Sequence, residues 1–432
     1  MKNKTIDVVG SELCTGCGTC AGVCPTGAIR MEICNGLYMP KIDDQICNKC
    51  GLCLRSCPGH SVDVEKLNLN VFGEKPANDF LGNYLACYMG YSKDNSVRHD
   101  SSSGGIVTQL LIFALEQGLI DGALVVRQKK DAPLEPEPFI ARNRKEIISA
   151  SKSKYCPVPA NVAIREIVNQ EGRFAVVGLP CQIQGIRKAE SLERELANKI
   201  VLHMGLFCSH TVNFFGTEFL LEKLKIAKWD VKQLHYRGMG WPGCLSITLS
   251  NGHQVLVKYN DYWNPIFGSY FFAPLRCICC CDQTNELADL SFGDAWLKEV
   301  VNKDKEGTSI IISRNKIGED LLANAHSQGV IALERTDPQK VLESQYCSLC
   351  SKKIGLGGRI RILKSLGVRT PNYGVIKCMA NPFLFTTNLL QLLGIAISQK
   401  RITYNLLKYM HPNTTFPFII HTDLSLYSSY RL

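Results

Sequence analysis

Through the middle of the chain, short apolar runs alternate with helix-length stretches. Residues 123–126, 174–177, 200–203, 290–292 and 309–312 are apolar runs of strand length, and this alternation predicts an α/β domain on a largely parallel sheet. Two further runs, 245–249 and 254–259, flank Asn251-Gly252, a dipeptide suited to a tight turn, so an inserted antiparallel hairpin is expected. Residues 106–117 read as an apolar helix, and 37–42 as a short strand near the amino terminus. Towards the other end, Leu389, Leu390, Leu392, Leu393, Ile395, Ala396 and Ile397 precede Lys400 and Arg401, the pattern of an amphipathic or nearly all-apolar helix with a basic end. Pro412 and Pro417 break any helix beyond it, and 425–432 reads as a loose tip.

The longest apolar stretch, 383–398, is interrupted by Thr386, Thr387, Asn388 and Gln391 and falls short of the about 20 residues that cross a bilayer, so no transmembrane span is expected. A length of 432 residues suggests two or three domains, and 45% hydrophobic with 20% charged residues is an ordinary globular composition. Charge changes the picture. The net +10 sits in residues 352–432, where Lys352, Lys353, Arg359, Arg361, Lys364, Arg369, Lys377, Lys400, Arg401, Lys408 and Arg431 face the single acid Asp423. A neutral body with a basic extension does not suit a nucleic-acid binder. The extension is expected first to dock on the protein or its homo-oligomer, ahead of peripheral contact with an anionic membrane or an acidic redox partner.

Candidate chemistry comes from 21 cysteines. No apolar run follows residues 1–10, so a secretory signal is not expected, and the cysteines read as reduced thiols of a cytoplasmic protein. Cys14, Cys17, Cys20 and Cys24 precede Pro25, and Cys47, Cys50, Cys53 and Cys57 precede Pro58, at the same internal spacing. Each tight loop brings three thiolates to one cubane, while the fourth, before its proline, serves the other. Crossed ligation follows: Cys14, Cys17 and Cys20 with Cys57, and Cys47, Cys50 and Cys53 with Cys24. Structural zinc is a poor account of two identical four-thiol sets. Residues 5–65 resemble a bacterial two-cluster ferredoxin domain, a relay without a substrate site of its own. Cys34 belongs to neither run and is read as a small buried hydrophobe.

In the centre, Ser101-Ser102-Ser103-Gly104-Gly105 opens the predicted helix at 106, where hydroxyls and free N–H groups suit a phosphate as well as they suit plain capping. Gly178-Leu179-Pro180-Cys181-Gln182 and Gly205-Leu206-Phe207-Cys208-Ser209-His210 each follow a strand, and strand carboxyl ends line the ligand crevice of an open α/β sheet. Arg276-Cys277-Ile278-Cys279-Cys280-Cys281-Asp282 and Ser291-Phe292-Gly293-Asp294-Ala295-Trp296 follow. With Ser153-Lys154-Tyr155, and Arg237 before Gly240-Trp241-Pro242-Gly243, this series resembles the coenzyme F420 hydrogenase/dehydrogenase beta-subunit family over about residues 84–350. The resemblance implies FAD, with the serine-glycine loop (Ser102, Ser103, Gly104, Gly105) in its site, and a further 4Fe-4S cluster near the flavin. Cys-x2-Cys spacing favours Cys277 and Cys280 for that cluster, with Cys181 and Cys208 completing it. Cys279, Cys281 and the pair Cys347 and Cys350 remain alternatives, and Cys87, Cys156, Cys244 and Cys378 are read as packing.

The expected organisation is an α+β ferredoxin-like two-cluster domain (1–70), a linker (71–83), an α/β domain with an inserted hairpin (84–350) and a mainly helical basic extension (351–432). A flavin exchanges electron pairs and clusters carry single electrons, so the expected activity is an FAD-linked oxidoreductase serving a redox partner protein or a small donor or acceptor. The alternative is a non-catalytic electron carrier or assembly module with a decayed flavin site. Lys154, Arg237 and the helix start at Gly104 are candidates to offset cofactor charge, against ordinary ion pairing. Trp241 or Trp296 is a candidate to stack on the ring, against core packing. Asp294 is the candidate carboxylate and competes with turn capping. His203 and His210 are candidate proton shuttles, though lone histidines more often serve structure.

Overall fold

A computed structural model describes residues 5–268, 270–373 and 382–398. In chain order its strands are β1 (Ile29–Cys34), β2 (Leu37–Ile42), β3 (Ala86–Ser92), β4 (Gly122–Gln128), β5 (Pro136–Ala141), β6 (Phe174–Gly178), β7 (Ile200–Leu206), β8 (Val231–His235), β9 (Cys244–Leu249), β10 (Gln254–Lys258), β11 (Leu290–Asp294), β12 (Ser309–Ser313) and β13 (Ile331–Thr336).

The amino-terminal module is a hairpin of β1 and β2 with short helices at Thr19–Gly22 and Leu52–Arg55. Asn35 and Gly36 turn the hairpin with φ of 50° and 75°, the left-handed pair that matches strand twist. Cys20, Cys24, Cys53 and Cys57 sit in its core with Ile6, Val9, Leu13, Ala21, Ala28, Ile29 and Leu54. Sulfur thus replaces much of the hydrocarbon a module this small would otherwise bury. Cys34, expected inside, is exposed at the hairpin end, because its strand has water on that side.

The body is an eight-stranded sheet in the order β13-β3-β12-β11-β7-β6-β4-β5. It is mixed rather than largely parallel. Pairs β4/β6, β6/β7 and β7/β11 are parallel, and β4/β5, β11/β12, β12/β3 and β3/β13 are antiparallel. Central strands such as β12 are buried throughout and read as continuous apolar runs, while edge strand β13 is mostly uncovered, which explains why the sequence pattern reveals the centre and not the antiparallel margins. The expected hairpin of β9 and β10 is joined by β8 into a separate three-stranded sheet. Parallel strands β6, β7 and β11 end side by side at Gly178, Leu206 and Asp294, the edge where a crevice forms.

Module and body interlock. Asn161 N–H donates to the Cys17 carbonyl, and its side chain donates to Thr19 Oγ1 and the Gln182 carbonyl at 2.8 Å each. A Cβ on Gly18, which sits at φ 83°, would lie 2.8 Å from the Pro159 carbonyl oxygen, so only glycine allows this approach. The helix Val64–Phe72 crosses the expected boundary at residue 70, and Asn83 ties the following segment back to Asn68.

The extension begins as part of the body, not as a basic tail. Helix Leu356–Ser365 is largely buried, and helix Pro382–Ser398 follows the apolar pattern. Arg359 donates to the Ile278 carbonyl, Arg369 pairs with Glu12, and Lys353 pairs with Glu286. Asn388 and Ile395 are buried while Leu389, Leu393 and Ile397 stay exposed, so the second helix docks by one face, as its periodicity allows. Among the described residues no helix is long and apolar enough to cross a membrane. Lys377, Cys378, Lys400, Arg401, Lys408, Pro412, Pro417, Arg431 and the tip 425–432 lie outside the described residues.

Candidate functional site

Three thiol sets emerge from this packing. Burial pushes Cys14 up to about 12 and Cys57 up to about 11, and each also feels Cys17 as a like charge. Cys20, raised by burial, feels Cys17, Cys14, Cys57 and Cys53. Cys57 therefore stands with Cys14, Cys17 and Cys20 across the module. Cys53, raised by burial, feels Cys50 and Cys24. Cys57 thus lies near the first run and Cys24 near Cys53. Cys50 is exposed and Cys47 partly so, which puts the second set at the surface.

The third set draws on three separate segments. Pro180 starts the helix Pro180–Glu190 straight after β6 and places Cys181 in its first turn, Cys208 follows β7, and Cys277 and Cys280 flank the end of the short helix Leu275–Ile278. Cys181, held well above its ordinary value by burial, feels Cys17 and then Cys208, Cys277 and Cys280. The same thiol thus adjoins both its own set and the first amino-terminal one. The loop after Cys280 is stitched to the strand ends. Cys208 N–H donates to the Gln283 carbonyl at 3.0 Å, and Asn285 Nδ2 donates to the Gly178 and Leu206 carbonyls at 2.8 and 3.3 Å.

Buried Arg276 and two lysines border these sets. Lys352 is 4% exposed and its Nζ donates to the Cys208 and Asp282 carbonyls at 2.6 and 2.7 Å; burial opposes its charge, but Cys280, Cys208, Asp282 and Cys277 hold its pKa above the ordinary value. Lys188 donates to the Cys57 and Ser61 carbonyls, and burial brings it down to about 8. Among the described residues no three His, Cys, Asp or Glu side chains converge on one ion position. A zinc ion needs its sulfurs all about 2.3 Å from one point, whereas a cubane holds its thiolates on separate irons, and these all-sulfur donor sets suit iron–sulfur ligation.

Against the third set lies a cavity of about 990 Å³, lined by Cys208 among others, at the upper end of ordinary ligand pockets. Ser102, Ser103, Gly105, Lys154, Arg237, His210, Asp294 and Trp296 line it; Gly104 and Trp241 do not. Gly104 packs beneath the loop, its N–H donating to Ser309 Oγ. The helix Ile106–Glu116 starts on the cavity with no side-chain cap, which leaves first-turn N–H groups for an anion. Gln283 also lines the cavity, and its buried Oε1 has no partner within the protein.

Other expected site residues are committed elsewhere. Arg237 Nη1 donates to Asp294 Oδ2 at 2.7 Å and Trp241 Nε1 to Asp294 Oδ1 at 3.0 Å, so Asp294 joins the wall together and Trp241 packs on Trp296 behind it. Lys154 Nζ donates to the carbonyls of Ala150, Ser151 and Lys152, and burial lowers it to about 7. His210 donates from Nε2 to the Phe267 carbonyl and stacks on Tyr270, and burial lowers it to about 4; it is held neutral. His203 is away from the cavity, between Glu190 and Asp289. Cys87 and Cys156 are buried packing residues, as expected, whereas Cys244 is partly exposed. Sequence reasoning missed Lys352 and Gln283, since neither lies in a motif that marks it out.

Comparison with known proteins turns this geometry into an assignment. Models of the beta subunit of coenzyme F420 hydrogenase/dehydrogenase match residues 87–165 with its amino-terminal part and 171–339 with its carboxyl-terminal part, together more than half of the chain. The chain belongs to this family. A 4Fe-4S binding domain matches residues 8–30, which takes in the first cysteine run of this family member. It is similar to the coenzyme F420 hydrogenase subunit beta of Methanothermobacter thermautotrophicus, 28% identical over 67% of this chain and 99% of that one. It is also similar to the coenzyme F420-dependent sulfite reductase of Methanocaldococcus jannaschii, 27% identical over 79% of this chain and 50% of that one. A chain of the F420-reducing [NiFe] hydrogenase complex from Methanosarcina barkeri shares the fold, with a TM-score of 0.53 and 23% identity over 71% of this chain and 99% of that chain. The family-model match stops at residue 339, so Lys352 and both carboxyl-terminal helices lie outside it.

Proposed function

We propose that this family member is an iron–sulfur flavoprotein oxidoreductase that couples two-electron chemistry in the cavity to one-electron transfer through three 4Fe-4S clusters. The observation that carries this reading is the position of the third thiol set: Cys208 lines the cavity and Cys181 adjoins Cys17, so sulfur continues from the cavity to exposed Cys50. Cys14, Cys17, Cys20 and Cys57 hold one cluster, Cys24, Cys47, Cys50 and Cys53 the surface one, and Cys181, Cys208, Cys277 and Cys280 the third. Ser102, Ser103 and the uncapped start of Ile106–Glu116 would hold the phosphates of an FAD, which when bound would exchange electrons in pairs or singly.

The chain's own residues shape and charge the site. Gln283 Oε1 offers an acceptor to whatever fills the cavity, and the Asp294 to Arg237 pair holds the wall rigid. Neutral His210 positions Tyr270 and does not shuttle protons, since its Nε2 proton is spent on the Phe267 carbonyl. The relatives act on coenzyme F420 by name, so the two-electron partner proposed is a deazaflavin or another hydride carrier, with a redox protein at the exposed set.

Anaerobically reconstituted full-length protein tests this. The expected result is about twelve irons and one flavin per chain, with flavin absorbance that bleaches on adding reduced deazaflavin, NADH, NADPH or reduced ferredoxin. About eight irons with no flavin would establish the carrier reading instead, and a colourless zinc protein would remove both.

A further inference from the structure

Cys347 and Cys350 belong to no thiol set, yet both line the cavity. They lie at the end of helix Pro338–Leu349, where Cys350 starts a wider turn, Cys350–Ile354. Three residues of helix separate their Cα atoms by about 5 Å, inside the range of about 4.4–6.8 Å a disulfide tolerates. Neither is joined in a disulfide.

Their surroundings differ in a way that assigns roles. Cys347 is exposed, while Cys350 is 4% exposed. Burial pushes Cys350 up to about 11 against a hydrogen bond from Tyr346, and Cys347 raises it further. Thiol–disulfide exchange needs an accessible attacking thiol and a second thiol held close enough to resolve the mixed disulfide. Ligation of a single metal ion would need at least one more donor, and among the described residues no such group of three exists.

We propose that Cys347 and Cys350 are a redox-active dithiol that reduces small disulfides entering the cavity. Cys347, as thiolate, attacks one sulfur of the small disulfide. That S–S bond breaks, one small thiol leaves with the proton Cys347 gave up, and a mixed disulfide forms on Cys347. Cys350 then attacks Cys347 Sγ, its proton goes to the second leaving thiol, and the Cys347–Cys350 bond closes. One dithiol is oxidised, one disulfide is reduced to two thiols, and an excess of small dithiol runs the exchange backwards. The exchange itself uses neither flavin nor iron, although the pair lines the cavity assigned above to the flavin.

Glutathione disulfide is the probe, applied to anaerobic full-length protein that is then alkylated and mapped by peptide mass spectrometry. The peptide carrying both cysteines is expected to lose both alkylatable thiols and two hydrogens in mass, and to regain them in dithiothreitol. Cys350→Ser should trap one glutathione on Cys347, and Cys347→Ser should trap none. Two thiols that stay alkylatable in the unmodified protein at every ratio of glutathione disulfide overturn the proposal. So does loss of iron from the double variant Cys347→Ser/Cys350→Ser, which would make the pair cluster ligands. Iron and flavin counts on the same samples keep this outcome separate from that of the proposed function.

Discussion

Cys14, Cys17 and Cys20 reach one place along a single tight loop, whereas Cys181, Cys208, Cys277 and Cys280 meet only after three segments have packed around the sheet. The first arrangement is inexpensive in chain order and weak in hydrocarbon, since four of the eleven buried residues of its core are cysteines. The second is held by the protein itself. Glu190 and Asp289 grip His203 of β7, and Arg187 pairs with Glu190 and Asp289, which clamps the helix bearing Cys181 to the strand leading to Cys208. Asn285 and Lys352 close the same site from the other side. Local spacing can gather ligands cheaply when the metal supplies the stability; a site inside a body can be preorganised by hydrogen bonds before any metal binds.

The largest test of this contrast is removal of iron. Chelation is expected to unfold residues 5–62 while the eight-stranded sheet persists, seen in hydrogen exchange as lost protection around Cys20 and Leu54 but not at Leu110 or Ile311; equal loss in both regions would refute the contrast. Next comes Asp294→Ala, which leaves buried Arg237 without its carboxylate and Trp241 without an acceptor. It should cost about 3–5 kcal/mol in denaturant unfolding of the body with iron of the amino-terminal sets retained. Lys352→Met is smaller: two carbonyls lose their lysine donor, at about 1–3 kcal/mol in all, and any iron held by the third set loses a neighbouring cation. Its midpoint potential, followed by electron paramagnetic resonance, should move negative while the other signals stay put. Lys352→Arg should recover most of the shift.

The smallest effect concerns pH. Burial and Arg187 lower His203, but Glu190 and Asp289 outweigh them and its pKa is raised. A raised histidine contributes in full below its unfolded value of about 6.5 and loses that contribution as pH rises through the higher folded value. Melting temperature should therefore decline on the alkaline side of neutrality, and His203→Gln should flatten that decline; an unchanged slope would show that the clamp carries no proton linkage.

Much of the site was legible because its chemistry sits in short motifs. Two cysteine runs are plain from their spacing, and Cys181 and Cys208 stand out as thiols just after strands. Roles inside the cavity were not legible. Trp241 reads as a stacking candidate until Asp294 is seen taking its N–H, and Lys154 reads as a phosphate ligand until three carbonyls surround it. The antiparallel edge strands β5 and β13 escaped because a half-exposed edge strand has too weak a pattern. Charge misled at Lys352 and Arg359, which count as a basic tail in sequence and are buried in the fold.

By itself the sequence determined the sulfur chemistry and the α/β body, since tight loops and buried strands are local events written in spacing and apolarity. Tertiary structure alone decided that Cys181 stands beside Cys17, that Cys208, Cys347 and Cys350 share a cavity, and that Lys352 covers the third set. Those contacts join residues far apart in the chain, and only the closing of the sheet and its crossing helices sets their distances.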